Sequence, residues 1–230
     1  MTLKAMKKNI PLHYFFAFAL FLYPSIKIFA HTEPTVSAKE ALEKLKSGND
    51  RFVHGNLRSV DFKSKRLKLA DKQEPFAIIL TCSDSRIPPE LVFDQTLGDI
   101  FVVRVAGNIV DSAGLGSIEY AAEHLGSRLI VVLGHESCGA VKAALGSGTQ
   151  PPNIQSIVNK IAPAVALARS EQLPESQLLN RAIEINVREQ IHAITDRSDL
   201  LREMAKNKSL VVVGAEYQLG QGKVEWLEDK

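Results

Sequence analysis

Cysteine is scarce: Cys82 and Cys138 are the only two in 230 residues. One disulfide is the most such a chain can form, and 45% hydrophobic residues suffice for a full core without more. Excess charge is lacking too, since the formal net charge is +2. The first thirty residues contain no Asp or Glu but hold Lys4, Lys7, Lys8 and Lys27; taking those four from +2 leaves −2 for residues 31–230. A body so nearly neutral is expected to have no nucleic-acid or other polyanion partner. Long apolar runs are missing as well. Tyr14–Leu22 is apolar over nine residues, short of the roughly 20 that span a membrane. Preceded by lysines, broken at Pro24 and Ser25 and followed by Ile28-Phe29-Ala30, it reads as part of a secretory signal over residues 1–30, the alternative being an uncleaved anchor. Export would place the mature chain in the periplasm of a Gram-negative cell, without stable membrane association once the signal is cut. No internal repeat, low-complexity tract or second-domain boundary interrupts residues 31–230, so these are expected to form one domain.

What the chain does have is concentrated in two stretches. Phe76–Leu80 is an apolar, β-like run that stops at Cys82, Asp84 and Arg86; Leu129–Leu133 is another that stops at Gly134-His135-Glu136-Ser137-Cys138-Gly139. Further strands are expected at Phe101–Val105 and Ser209–Val213. Helices are expected over Leu115–Leu125, Ala140–Leu145, Ile154–Leu167, Gln177–Thr195 and Leu200–Lys206. This alternation predicts an α/β fold with a mostly parallel sheet, strand order 2-1-3-4. The segment Glu216–Leu227, with a Gly220-Gln221-Gly222 turn, should add an edge strand. An N-terminal helical arm precedes the sheet: Ser37 with Glu40 has capping-box spacing, and Ala41, Leu42, Leu45 and Phe52 mark an apolar stripe through about Val53. Asp61–Lys72 reads as an exposed helix or loop.

Sites in open parallel sheets form outside the C-terminal strand ends, where strand order reverses. With the first and third strands adjacent, Cys82 meets His135 and Cys138 there. Two thiolates and an imidazole are a zinc ligand set with one position left for chemistry. Asp84 then has two possible roles: fourth ligand in a closed state, or partner of Arg86, whose planar fork fixes a carboxylate beside a reacting water. A Cys82–Cys138 disulfide accounts for neither His135 nor Asp84 and Arg86. A purely structural zinc site more often takes its ligands from small loop-rich modules. His54, His124 and His192 read as surface or packing residues.

Thr81-Cys82-Ser83-Asp84-Ser85-Arg86 together with Gly134-His135-Glu136-Ser137-Cys138-Gly139 resembles the β-class carbonic anhydrases, and the similarity runs from about Ser37 to Leu227. The resemblance implies one zinc per subunit on Cys82, His135 and Cys138, an Asp84–Arg86 dyad, and hydration of carbon dioxide to bicarbonate. It also implies that Gln73 hydrogen-bonds substrate, that Phe101 and Tyr120 are pocket residues donated across a dimer interface, and that Gly139 belongs to the substrate site. A homodimer or homotetramer follows. Ala106 stands where the plant-type pocket has Val. Ile79 stands where the allosteric branch has Trp, and Arg104 occurs in both branches, which implies a plant-like, non-allosteric enzyme with hyperbolic kinetics. Two related possibilities share these ligands: a non-catalytic zinc scaffold, and a hydrolase of carbon disulfide or carbonyl sulfide.

Overall fold

The computed structural model describes residues 36–228. The expected signal at 1–30 lies outside them. Ser37 caps the first helix, α1 (Ala38–Val53): its side chain accepts from the Glu40 N–H at 3.2 Å. Glu40 itself pairs with Lys44 one turn on. The helix turns Ala41, Leu45, Gly48 and Asn49 inward. Asn49 staples this helix to the body. Its Nδ2 donates to the carbonyls of Val92 (3.1 Å) and Gly222 (2.9 Å), and its Oδ1 accepts from the Val224 N–H at 2.8 Å. At Gly48 the helix backbone lies against Phe93: an added Cβ would stand 1.7 Å from the Phe93 carbonyl oxygen.

After a short exposed helix, α2 (Phe62–Lys68), the chain builds its sheet from β1 (Ala77–Thr81), β2 (Ile100–Arg104), β3 (Leu129–His135), β4 (Val211–Gln218) and β5 (Lys223–Trp226). The order is β2-β1-β3-β4-β5; the first four are parallel and β5 returns antiparallel on β4. Every residue of β1 and β3 is buried, as two-sided cover requires. Successive residues of β1 feed opposite faces. Ile79 packs with Ala41, Leu45 and Val141 on one side; Ile78 and Leu80 pack with Leu115, Ile118 and Leu201 on the other. Each such fully buried aliphatic side chain contributes about 1.5–3 kcal/mol.

The helices between strands are α3 (Pro89–Val92), α4 (Ser112–Glu123), α5 (Gly139–Leu145), α6 (Pro152–Ser170), α7 (Glu175–Arg197) and α8 (Asp199–Lys206). Among the described residues none is long and apolar enough to cross a membrane. Strand β4 departs from the expected Ser209–Val213. It starts at Val211 and runs to Gln218, because its backbone pairs with β3 all the way to His135 and with β5 on the other side. The apolar run ends at Val213, but the ladder does not.

Candidate metal centre

Thr81 at the tip of β1 lies opposite Leu133 of β3, and its hydroxyl donates to the Leu133 carbonyl at 2.9 Å. Cys82 therefore leaves the sheet beside the last residues of β3. His135 ends that strand, and Cys138 is the N-cap of α5. The connecting Ser137 has φ +57°, in the left-handed region. That reversal takes the chain from strand to helix in two residues and turns His135 and Cys138 to one point. The ligand atoms of Cys82, His135 and Cys138 lie within 4.8 Å of one another, all three side chains are buried, and both cysteines are free.

The imidazole is oriented for coordination. Its Nδ1 lies 2.9 Å from the Glu136 carbonyl, to which it donates, leaving a lone pair on Nε2. That Nε2 is buried without a hydrogen-bond partner, a costly state for a polar atom unless something accepts its lone pair. The sulfurs have the same need. The neighbouring Cys138 side chain lowers the pKa of the Cys82 thiol, while the same contact and burial push Cys138 up. Burial disfavours a charged His135, but the nearby Cys82 sulfur, the Glu136 carbonyl and the Asp84 carboxylate together outweigh it and raise its pKa. Two sulfurs and one bare imidazole nitrogen fit a zinc ion and leave a tetrahedral position free.

Asp84 and Arg86 stand at the rim. Asp84 receives Arg86 Nε on Oδ1 at 2.9 Å, Nη2 on Oδ2 at 2.7 Å, and the Arg86 N–H at 3.0 Å. This bidentate grip holds the Asp84 carboxyl well below the usual carboxylate range. Arg104, at the end of β2, donates to the carbonyls of Cys82 (3.1 Å) and Asp84 (2.6 Å) and so clamps the loop that carries both. The Gly107 N–H donates to Cys82 Sγ at 3.2 Å.

Gly139 opens α5 directly after Cys138, and a Cβ there would meet nothing within 4 Å. The other expected pocket residues do not join the cluster within one chain. Gln73 precedes β1, and Phe101 pairs with Ile78 near the start of that strand. Gln73 and Tyr120 line a groove of about 690 Å³ with Leu97, Gly98 and His124, at the N-terminal strand ends. About 16 Å of β1 separates that end from Cys82. His124, expected as a surface or packing residue, packs its ring on Tyr120 at 5.2 Å between centroids.

Two contributors have roles that the sequence did not reveal. Arg104 serves as a loop clamp, and Gly107 as a donor to sulfur. A glycine just after an expected strand was the available signal for Gly107, which the structure places in the left-handed region (φ +72°). Nothing in its spacing points to the sulfur.

The family model described as "Carbonic anhydrase" matches residues 77–224. Carbonic anhydrase 2 of Mycobacterium tuberculosis is 43% identical over 198 residues, covering 83% of this chain and 93% of that protein. A carbonic anhydrase of Mycolicibacterium smegmatis is 40% identical over 197 residues, covering 84% and 94%. Among solved structures, a tetrameric β-carbonic anhydrase of Sordaria macrospora matches with TM-score 0.66 and 27% identity, over 81% of this chain and 94% of that one. The β-carbonic anhydrase CafA of Aspergillus fumigatus matches with TM-score 0.67 and 27% identity, over 83% and 90%. A chain with this sheet, this Cys-His-Cys cluster and these relatives belongs to the carbonic anhydrase family, with the β-class fold.

Proposed function

We propose that the protein is a zinc-dependent carbonic anhydrase, a lyase that reversibly converts carbon dioxide and water to bicarbonate and a proton. The observation that carries this reading is the buried convergence of Cys82 Sγ, Cys138 Sγ and the unpartnered His135 Nε2 beside an Asp84 held by Arg86. Those three residues would hold one zinc per subunit, which when bound would supply a Lewis acid that makes water nucleophilic near neutral pH. Asp84, kept ionised by Arg86, accepts a hydrogen bond from the attacking water and aims its lone pair at the carbon of the substrate. The proton released on hydration passes to solvent.

The pocket wall comes from a second copy. Gln73, Phe101 and Tyr120 sit a strand-length from their own Cys82, so they can act only on a neighbour's centre, and the working unit is at least a homodimer. Tyr120 is 49% exposed, leaving aromatic surface that a partner would cover. Gln73 supplies an amide for substrate oxygen, and Phe101 and Tyr120 an apolar lodging for carbon dioxide. The Asp84–Arg86 grip favours a catalyst over an inert zinc scaffold, which has no use for a fixed carboxylate at its rim. Ile79, standing where the allosteric branch has a tryptophan, supports the non-allosteric reading. Residues 1–30 direct export to the periplasm, and residues 31–230 form the one catalytic domain; recovery of full-length protein from the cytosolic fraction would contradict this.

Zinc content and stopped-flow carbon dioxide hydration, measured on one purified sample, test the function. Stoichiometric zinc with fast hydration is expected. Zinc without hydration would support the scaffold, and turnover of carbonyl sulfide or carbon disulfide instead would move the substrate.

A further inference from the structure

Helix α7 carries a buried polar pair within an otherwise apolar inward face. Asn186 and Gln190, one turn apart, are 0% and 5% exposed amid Ile183, Val187 and Ile194. Their hydrogen bonds all run to one place, the loop 106–110 that follows β2, or to each other. Asn186 Nδ2 donates to the Gly107 carbonyl at 2.9 Å. Gln190 Oε1 accepts from the Val110 N–H at 2.8 Å, and Gln190 Nε2 donates to Asn186 Oδ1 at 3.4 Å. Farther along, Arg197 donates to the Val110 carbonyl at 2.8 Å. The far side of this loop is Cys82, whose Sγ accepts from the N–H of the same Gly107.

The approach is close because side chains are missing where they would obstruct it. Val187, next to Asn186, sits over two glycines of neighbouring strands. A Cβ on Gly134 would stand 2.6 Å from one of its methyl groups, and a Cβ on Gly214 2.9 Å from the other. Gly107 is hemmed on another side by Ile161 and Ala140, which an added Cβ would meet at 2.6 and 3.1 Å. A glycine is the most freely rotating residue. Here its carbonyl is tied to α7, its N–H points at sulfur, and its Cα faces α5 and α6.

We propose that Asn186 is a positioning residue of the metal centre, holding Gly107 so that its N–H stays on Cys82 Sγ. Asn186 touches neither metal nor substrate. An N–H···S bond draws charge off a thiolate ligand and fixes its direction, and losing such a supporting partner typically costs about 10–100-fold in metal affinity. Gln190 props the Asn186 amide and pins the same loop at Val110. A packing role alone would be met as well by an apolar side chain, which packs without requiring hydrogen-bond partners. The inference deepens the proposed function and rests on the zinc reading.

The test uses the purified zinc protein, with Asn186→Ala, Gln190→Ala and, as a packing control on the same helix, Ile194→Ala. Asn186→Ala should release zinc to a chelator at least about tenfold faster. In cobalt-substituted protein its thiolate-to-metal absorption band should move to longer wavelength, because the sulfur has lost a donor. Gln190→Ala should show the same changes to a smaller degree, and it carries the test if Asn186→Ala does not fold. Ile194→Ala should lower thermal stability yet leave zinc release and the cobalt band at parent values. Parent-like release and an unmoved band in the asparagine and glutamine variants would overturn the proposal, as would equal changes in Ile194→Ala. A parent protein without zinc would instead overturn the zinc reading itself.

Discussion

Asp84 gives both carboxylate oxygens to Arg86, at 2.9 and 2.7 Å, while its Oδ2 stands 4.0 Å from His135 Nε2. The carboxylate is thus at the edge of the ligand cluster but committed to the guanidinium. Asp84→Asn should therefore keep its zinc and lose about 100-fold or more in carbon dioxide hydration, the range for a group that handles a reacting proton. Paired metal analysis and stopped-flow rates decide it; an unimpaired rate removes Asp84 from the reaction.

Cys138→Ser separates metal from fold. Serine is a preferred helix N-cap, and Cys138 occupies that position on α5, so the helix should persist. A hydroxyl does not replace a thiolate on zinc. The expected outcome is an unchanged far-UV circular dichroism spectrum with substoichiometric zinc. A full complement of metal would remove Cys138 from the ligand set.

Gly48→Ala should be among the most damaging single-methyl additions. The new Cβ would lie 1.7 Å from a backbone oxygen, that of Phe93, which cannot move aside as a side-chain tip can. Helix α1 must shift, straining the three hydrogen bonds of Asn49. A loss of about 3 kcal/mol or more is expected, read as a lowered denaturant midpoint. By contrast Gly139→Ala, with open space around its Cβ, should leave the midpoint near that of the parent.

Asp94 sets an acid limit on stability. It is 8% exposed and takes Arg51 Nε at 2.5 Å and Arg58 Nε at 3.1 Å. Burial alone would raise its pKa, but the Arg51 and Arg58 contacts outweigh burial and lower it. A carboxyl lowered in the folded state adds stability above its unfolded pKa of about 3.9, and that stability is lost as pH falls through the folded value. Asp94→Asn should cost about 2 kcal/mol at pH 7, with the gap to the parent closing under acid. Thermal midpoints between neutral pH and pH 3 would show it; a gap that holds constant down to the lowest pH would refute the linkage.

Much of this was legible in the residues. Two apolar runs ending in Cys82 and in His135 and Cys138 declared both strands and the cluster at their tips, because two-sided burial leaves little choice of element and parallel pairing leaves little choice of neighbour. The Ser37 cap was equally readable, being a local matter of one hydroxyl and one N–H. What escaped was non-local. Strand β4 runs past its apolar stretch because β3 and β5 are there to pair with it. Arg104 works as a clamp only because β2 ends beside the Cys82 loop. Asn186 and Gln190 look like polar interruptions of a helix until the 106–110 loop is laid against them. Gln73 and Tyr120 were expected at the pocket only through family likeness, and their distance from Cys82 within one chain explains why spacing could not have tied them to it.

On the proposed reading, in which a neighbour's groove completes each centre, that distance makes the two ends of the sheet genetically independent. A chain disabled by Cys138→Ser keeps its groove, and a chain disabled by Tyr120→Ala keeps its sulfurs. Co-expressed with different tags and purified through both, the two defective chains should form hybrids in which one cleft combines the healthy half of each. Hydration recovered in the hybrids but absent from either parent stock would mark a catalyst whose smallest intact unit spans two polypeptides.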